Sequence, residues 1–149
     1  RGSGIMNHTF SEYLPVIPNW NPGRRNGALV SINQGKTTTY ATMGIEDRGT
    51  IFVDPGTEVY EGMIVGQNSR ENDISVNITK GKNMTNVRSS NKDLTATIKT
   101  PTHLTLEESL EFLNSDEFCE ITPDHVRLRK RILNTNSREK EAKKRKMNK

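Results

Sequence analysis

The chain is poor in the residues that staple a fold or carry chemistry. Cys119 is the single cysteine among 149 residues. No internal disulfide can form, and no cysteine-based zinc site can be built. In its apolar, strand-like setting Cys119 reads as a buried, inert thiol. Histidine is scarce too. His8, His103 and His125 are far apart in sequence, and none lies in a metal-ligand spacing. Long apolar runs are missing, and nothing approaches the roughly 20 residues that span a membrane. There is no signal peptide, so the sequons at Asn7, Asn77 and Asn83 read as chance in an Asn- and Thr-rich chain. A reducing cytoplasm is the expected compartment. The opening Arg1-Gly2-Ser3-Gly4, without an initiator Met, reads as the start of an excised fragment.

The commonest catalytic constellations are missing as well. Gly35-Lys36-Thr37 invites comparison with a phosphate-binding loop. That loop needs a glycine five positions before the second one, and Val30 stands there. No helix pattern follows, since Thr37-Thr38-Thr39-Tyr40 favours a strand, so a turn between strands is expected. The acidic pairs Glu46/Asp47, Asp54/Glu58 and Glu107/Glu108 read as turn residues and a solvated helix face. Hydrolysis or metal chemistry would need such groups to converge with a base or ligand. The chain therefore reads as a binding module without catalytic residues, cofactor site or metal site.

What is present is uneven. Residues of the set AVILMFWYC make up 31% of the chain, lean for a globular protein but not disordered by composition. Large apolar residues recur from Ile5 to Leu133 and then stop. Residues 127–149 hold eleven cations against two carboxylates, and the rest holds eleven against sixteen. A mildly acidic body with a basic end suits contact with a polyanion. The expected organisation is a strand-like fragment over 1–16, a folded domain over 17–133, and a basic, disordered tail over 134–149.

The folded part reads as short strands punctuated by glycine and turns. They are expected over 28–32, 38–45, 50–53, 62–67, 74–79, 94–99, 118–122 and 125–132. Ile74, Val76 and Ile78 alternate with Ser75, Asn77 and Thr79, the period of a strand with one buried face. Asn19 to Gly23 forms a turn or linker, and Pro123-Asp124 separates the last two strands. One helix is well marked. Thr105 and Glu108 have capping-box spacing, with Leu106, Leu110 and Leu113 on one face and Phe112 at its border. The expected class is α+β, with a mainly antiparallel, barrel-like sheet and one late helix.

Two stretches point to nucleic acid. Residues 80–92 join two expected strands and carry Lys80, Lys82, Arg88 and Lys92 with no acid. Asn83, Thr85, Asn86, Ser89, Ser90 and Asn91 supply small hydrogen-bonding groups. Cations neutralise phosphates, and such side chains reach ribose hydroxyls and base edges. The second stretch is Val126-Arg127-Leu128-Arg129-Lys130-Arg131. As a strand it turns Val126 and Leu128 to the core. Arg127, Arg129 and Arg131 then line the other face at about 6–7 Å intervals, close to phosphate spacing. An edge strand guarded by charge would look the same. Lys130 joins these residues as a candidate contact.

The accumulated motifs resemble the C-terminal part of the TypA/BipA translational GTPases. Arg1-Gly2, Gly4, Met6-Asn7-His8, Phe10 and Tyr13 resemble the end of the domain shared with elongation factor G and LepA. Asn26-Gly27, Gly35-Lys36 and Asp47-Arg48-Gly49 follow in family order, as do Glu58-Val59-Tyr60-Glu61-Gly62 with Met63 to Gly66, and Ser69-Arg70-Glu71-Asn72-Asp73. Lys82, Thr85, Asn86 and Arg88 match the loop motif. Thr105-Leu106-Glu107-Glu108, Glu120, Thr122-Pro123, Arg127 and Arg129-Lys130-Arg131 complete the set.

The resemblance implies a ribosome-associated GTPase linked to stress or cold adaptation and to large-subunit assembly. Its GTP- and magnesium-binding domain would lie outside this chain. The segment from about residue 17 would be the family's own C-terminal domain. Its loop would contact large-subunit rRNA and the acceptor end of A-site tRNA, with the chain acting as a monomer. The alternative is a structural domain that binds ribosomal protein rather than RNA.

Overall fold

The computed structural model describes residues 7–15, 24–81 and 99–147, the last without the side chains of 145 and 146. Among these residues, glycine-punctuated apolar runs become eight short strands. In chain order they are β1 (Ala28–Ser31), β2 (Gly35–Lys36), β3 (Gly49–Ile51), β4 (Glu58–Val59), β5 (Met63–Asn68), β6 (Ile74–Val76), β7 (Glu117–Ile121) and β8 (Val126–Lys130). Three α-helices join them among the described residues: α1 (Thr39–Ile45), α2 (Leu106–Phe112) and α3 (Thr135–Met147). The fold is α+β.

β5 organises the main sheet. One of its edges pairs with β1. The other is shared, with β8 opposite Met63 and Ile64 and β3 opposite Gly66 to Asn68. The main path runs β6-β1-β5-β8-β7, and β2 and β4 form a separate ribbon. All pairings are antiparallel except β1 with β6. The expected barrel does not close among the described residues. β6 and β7 end the path at opposite sides, and neither pairs with the other.

Every residue of β1 is buried. Alternate side chains therefore feed two cores, one on each face of the sheet. Leu29 joins Ile45, Ile51, Val65, Val76 and Ile78 on one face, with α1 supplying Ile45. Ala28 and Val30 join Ile64, Phe112 and Leu128 on the other, with α2 supplying Phe112. Phe112 meets Phe52 edge to face at 5.3 Å.

Three expectations about helices change. The segment 38–45, rich in strand-favouring Thr and Tyr, is α1. Thr38 caps it by accepting from the Ala41 amide at 3.1 Å, and Ala41, Thr42 and Ile45 bury against the sheet. Tertiary packing overrides local preference over a helix this short. In α2 the capping box of Thr105 and Glu108 is present, but Ser109 and Phe112 are the buried residues. Leu106 and Leu110 are exposed, because Phe112 fills the core position against Phe52. The basic tail is helical rather than irregular. Lys, Arg, Glu and Ala are strong helix formers even when solvated on all sides. Asn134 caps α3 by accepting from the Ser137 amide at 3.1 Å, and Glu61 accepts from the Thr135 amide at 2.7 Å.

Residues 7–15 carry no strand, and their side chains are exposed. A strand needs a hydrogen-bonding neighbour, and none of the described strands pairs with this segment. The expected turn over 19–23, and all but Lys99 of the expected strand over 94–99, lie outside the described residues.

Gly62 is where the fold requires a glycine. Its φ is +87°, and a Cβ there would lie 2.6 Å from the Leu133 backbone. The start of β5 and the approach to α3 thus pass at contact distance.

Candidate nucleic-acid interface

The strand β8 is not an edge. It pairs with β5 on one side and β7 on the other, and β7 and β8 meet across the Pro123-Asp124 turn. Alternation along it places Leu128 and Lys130 on the buried face, while Arg127 and Arg129 point the other way. Arg131 lies just past the strand and is exposed. Val126, expected in the core, is exposed because it opens the strand beside the turn.

Lys130 is therefore not a surface cation. Its side chain is 4% exposed, and its Nζ lies 2.7 Å from Glu117 Oε1 and 3.0 Å from Asp116 Oδ2, with Asp73 a third partner. Burial would lower its pKa, but hydrogen bonds and charge from Asp73 and Glu117 outweigh this and raise it. Arg24 completes the cluster. It donates to Glu117 Oε1 at 2.6 Å and to the Phe112 carbonyl at 2.7 Å, and its guanidinium stacks 3.9 Å from the Phe112 ring. Glu117, fully buried, thus holds two cations. The Lys130 ammonium is committed within the fold and leaves the set of RNA contacts. Sequence reasoning missed Arg24, Asp73 and Glu117. The available signal was Lys130 itself, a cation two residues from buried Leu128 on the same face.

The other β8 cations differ from one another. Arg129 pairs with Glu120 at 2.8 Å and stacks 5.2 Å from the Phe118 ring. The same Glu120 accepts from the Tyr60 hydroxyl at 2.6 Å. Burial, then that hydrogen bond and the Glu120 charge, raise the Tyr60 pKa. Arg131 reaches Glu141 of α3 at 3.7 Å. Arg127 makes no ion pair and no hydrogen bond with a described residue. It lines a cleft of ≈ 280 Å³ shared with Lys36, and a second cavity of ≈ 460 Å³ that His103 and His125 also line. The structure thus brings together two histidines that sequence distance had separated.

Asp54 and Glu58 line that second cavity too, and His103 Nε2 lies 3.4 Å from Asp54 Oδ2. Among the described residues, no group of three or more His, Cys, Asp or Glu could hold a metal ion. Cys119 is half-buried. Desolvation, then the Glu120 charge, raises its pKa and keeps it a thiol. Gly35-Lys36 is a strand, not a phosphate loop, although a helix does follow it.

Of the cation-rich stretch 80–92, Lys82, Asn83, Thr85, Asn86, Arg88, Ser89 and Lys92 lie outside the described residues. The chain on either side is described, and both flanks are fixed to one helix. The Thr38 hydroxyl at the N-cap of α1 donates to the Lys80 carbonyl at 2.6 Å. Glu46 at the C-cap accepts from the Lys99 amide at 2.9 Å. Lys80 itself is exposed.

Among the described residues no helix is long and apolar enough to cross a membrane. A family model, the TypA/BipA C-terminal domain, matches residues 26–135. The chain is 61% identical over 146 residues to the large ribosomal subunit assembly factor BipA of Bacillus subtilis (strain 168), covering 98% of this chain and 24% of that protein. It is 45% identical over 137 residues to the protein of that name from Escherichia coli (strain K12), covering 92% and 23%. The Synechocystis protein of that name is 45% identical over 130 residues, covering 87% and 22%. The chain thus spans about a quarter of the length of these relatives.

Proposed function

The chain belongs to the TypA/BipA family, and we propose that it is the RNA-contacting C-terminal domain of a ribosome-associated translational GTPase. Its targets are large-subunit rRNA and the acceptor end of A-site tRNA, and its setting is large-subunit assembly and stress or cold adaptation in the cytoplasm. GTP and magnesium belong to a part of the parent protein outside this chain. One observation carries the reading. A stretch with four cations and no acid, residues 80–92, falls in the sequence between Lys80 and Lys99, which are bonded to the two ends of one helix. Cations on such a base meet phosphates without first collapsing onto carboxylates of their own segment. Arg127 adds a cation with no internal partner among the described residues, and the cations of α3 supply unspecific attraction.

The test replaces Lys82 and Arg88 by Ala and follows ribosome binding against salt. Each lost phosphate contact is expected to weaken binding and to flatten the log–log slope by about one unit. Unchanged affinity and slope would overturn the assignment of this stretch. One observation favours contact with ribosomal protein instead. Ile121 and Val126, directly opposed across β7 and β8, are 61% and 41% exposed. That reading predicts binding to ribosomal protein and no affinity for protein-free rRNA.

A further inference from the structure

Helix α1, strand β6 and Lys80 enclose an open groove of ≈ 530 Å³, within the range of about 300–1,000 Å³ typical of small-ligand sites. Its lining combines the half-exposed ring of Tyr40, the side chains of Met43, Asn77, Arg48 and Lys80, and the bare backbone of Gly44. Among the described residues no carboxylate lines it. Neither the Arg48 guanidinium nor the Lys80 ammonium makes an ion pair or hydrogen bond with a described residue. The Asn77 carbonyl oxygen is engaged by Thr79, which leaves its amide group to donate.

Gly44 is the unexplained member. It lies within a seven-residue helix, and glycine is among the poorest helix formers. Its φ is not in the left-handed region, and a Cβ added there would meet nothing within 4 Å. Nothing in the fold around it asks for a glycine. What glycine provides at an open site is close approach to the backbone.

We propose that this groove binds one unpaired nucleotide of an RNA strand. The base stacks on Tyr40 over Gly44, and the adjoining phosphates meet Arg48 and Lys80. An exposed aromatic ring beside unpaired cations is the chemistry that holds single-stranded nucleic acid. An apolar peptide would use the Met43 surface but leave both cations without a counter-charge. The groove lies on the helix whose ends hold Lys80 and Lys99, so a strand drawn to Lys80 passes beside it. The inference rests on the RNA-binding reading above, but names a different set of residues.

The test measures binding of a short fluorescein-labelled oligoadenylate to the full chain by anisotropy, with thermal melting alongside. Tyr40→Ala is expected to weaken binding roughly 5- to 150-fold, the range of one lost base–aromatic stack, and Tyr40→Phe to leave it unchanged. Arg48→Ala and Lys80→Ala should each flatten the salt slope by about 0.7. Gly44→Leu should weaken binding while the melting midpoint holds or rises, since leucine is the better helix former. If Tyr40→Ala and Gly44→Leu bind as the parent does, the groove is not the site. A clear fall in the melting midpoint of Gly44→Leu would mean that the chain's own residues fill the groove, which also overturns the proposal. A chain that binds ribosomes but not the oligonucleotide defeats the groove and spares the RNA-binding reading. A chain that binds neither defeats both.

Discussion

Arg127 and Lys130 are three residues apart on one strand and carry the same charge, yet they face opposite environments. Lys130 is buried with its ammonium among Asp73, Asp116 and Glu117. Arg127 lines two open clefts and pairs with no described residue. The difference comes from the two-residue period of the strand, which sends odd and even positions to opposite faces. A run of like charges in a sequence can therefore contain both a structural element and a binding element. Ion pairing within the fold separates them where charge counting does not.

Breaking the buried side should have the largest effect. Glu117→Leu leaves Arg24 and Lys130 without their shared carboxylate, and stability should fall by roughly 3–5 kcal/mol in chemical denaturation. The part that remains folded should keep its RNA affinity. A variant as stable as the parent would show that Asp73 and Asp116 suffice for both cations. On the open side, Arg127→Ala should change stability by no more than about 0.5 kcal/mol. It should instead weaken ribosome binding, with a salt slope flatter by about 0.9. Loss of stability without loss of binding would place Arg127 with Lys130 and dissolve the contrast.

The smallest effect concerns α3. Glu61 has its pKa lowered, first by the hydrogen bond from the Thr135 amide, and further by the Thr135 side chain and the Arg138 charge. A depressed carboxyl contributes fully above its ordinary value of 4.5 and loses that contribution as pH falls through the lower folded value. Amide exchange at the start of α3 should therefore accelerate in acid before the sheet opens. Glu61→Gln should remove the pH dependence. Protection of Thr135 that is flat with pH would show that Asn134 and Arg138 hold the helix alone.

Much of this was legible in the sequence, and what was not has physical causes. Strong local signals survived. Alternation marked β6, glycine-bounded apolar runs marked β1 and β5, and Thr105 with Glu108 marked the start of α2. The seven-residue α1 was hidden because Thr38, Thr39 and Tyr40 prefer strands, and only burial of Ala41, Thr42 and Ile45 makes them a helix. The two-residue strands β2 and β4 are too short for any period to show. At the candidate interface, the alternation of β8 was readable, but the partners of its cations were not. Glu117 faces Lys130 across the β7–β8 hairpin, but Asp73 comes from a distant segment, and the spacing of Lys130 from Leu128 was the one local hint of its burial. The grooves beside Arg127 and Tyr40 are likewise products of packing between segments that the sequence keeps apart.

The bonds from Thr38 to Lys80 and from Lys99 to Glu46 have a consequence for how this protein can change. From Thr38 to Glu46 is eight residues at about 1.5 Å each, so α1 sets the separation of its two anchors at roughly 12 Å. Lys80 and Lys99 are thus held at a fixed separation. Closing a longer insert costs little, about 0.6 kcal/mol for each doubling of its length. The sheet and its two cores need not respond. The length and charge of the segment between Lys80 and Lys99 can thus be changed without a demand on the body that carries it, and an engineer could exchange it as a cassette.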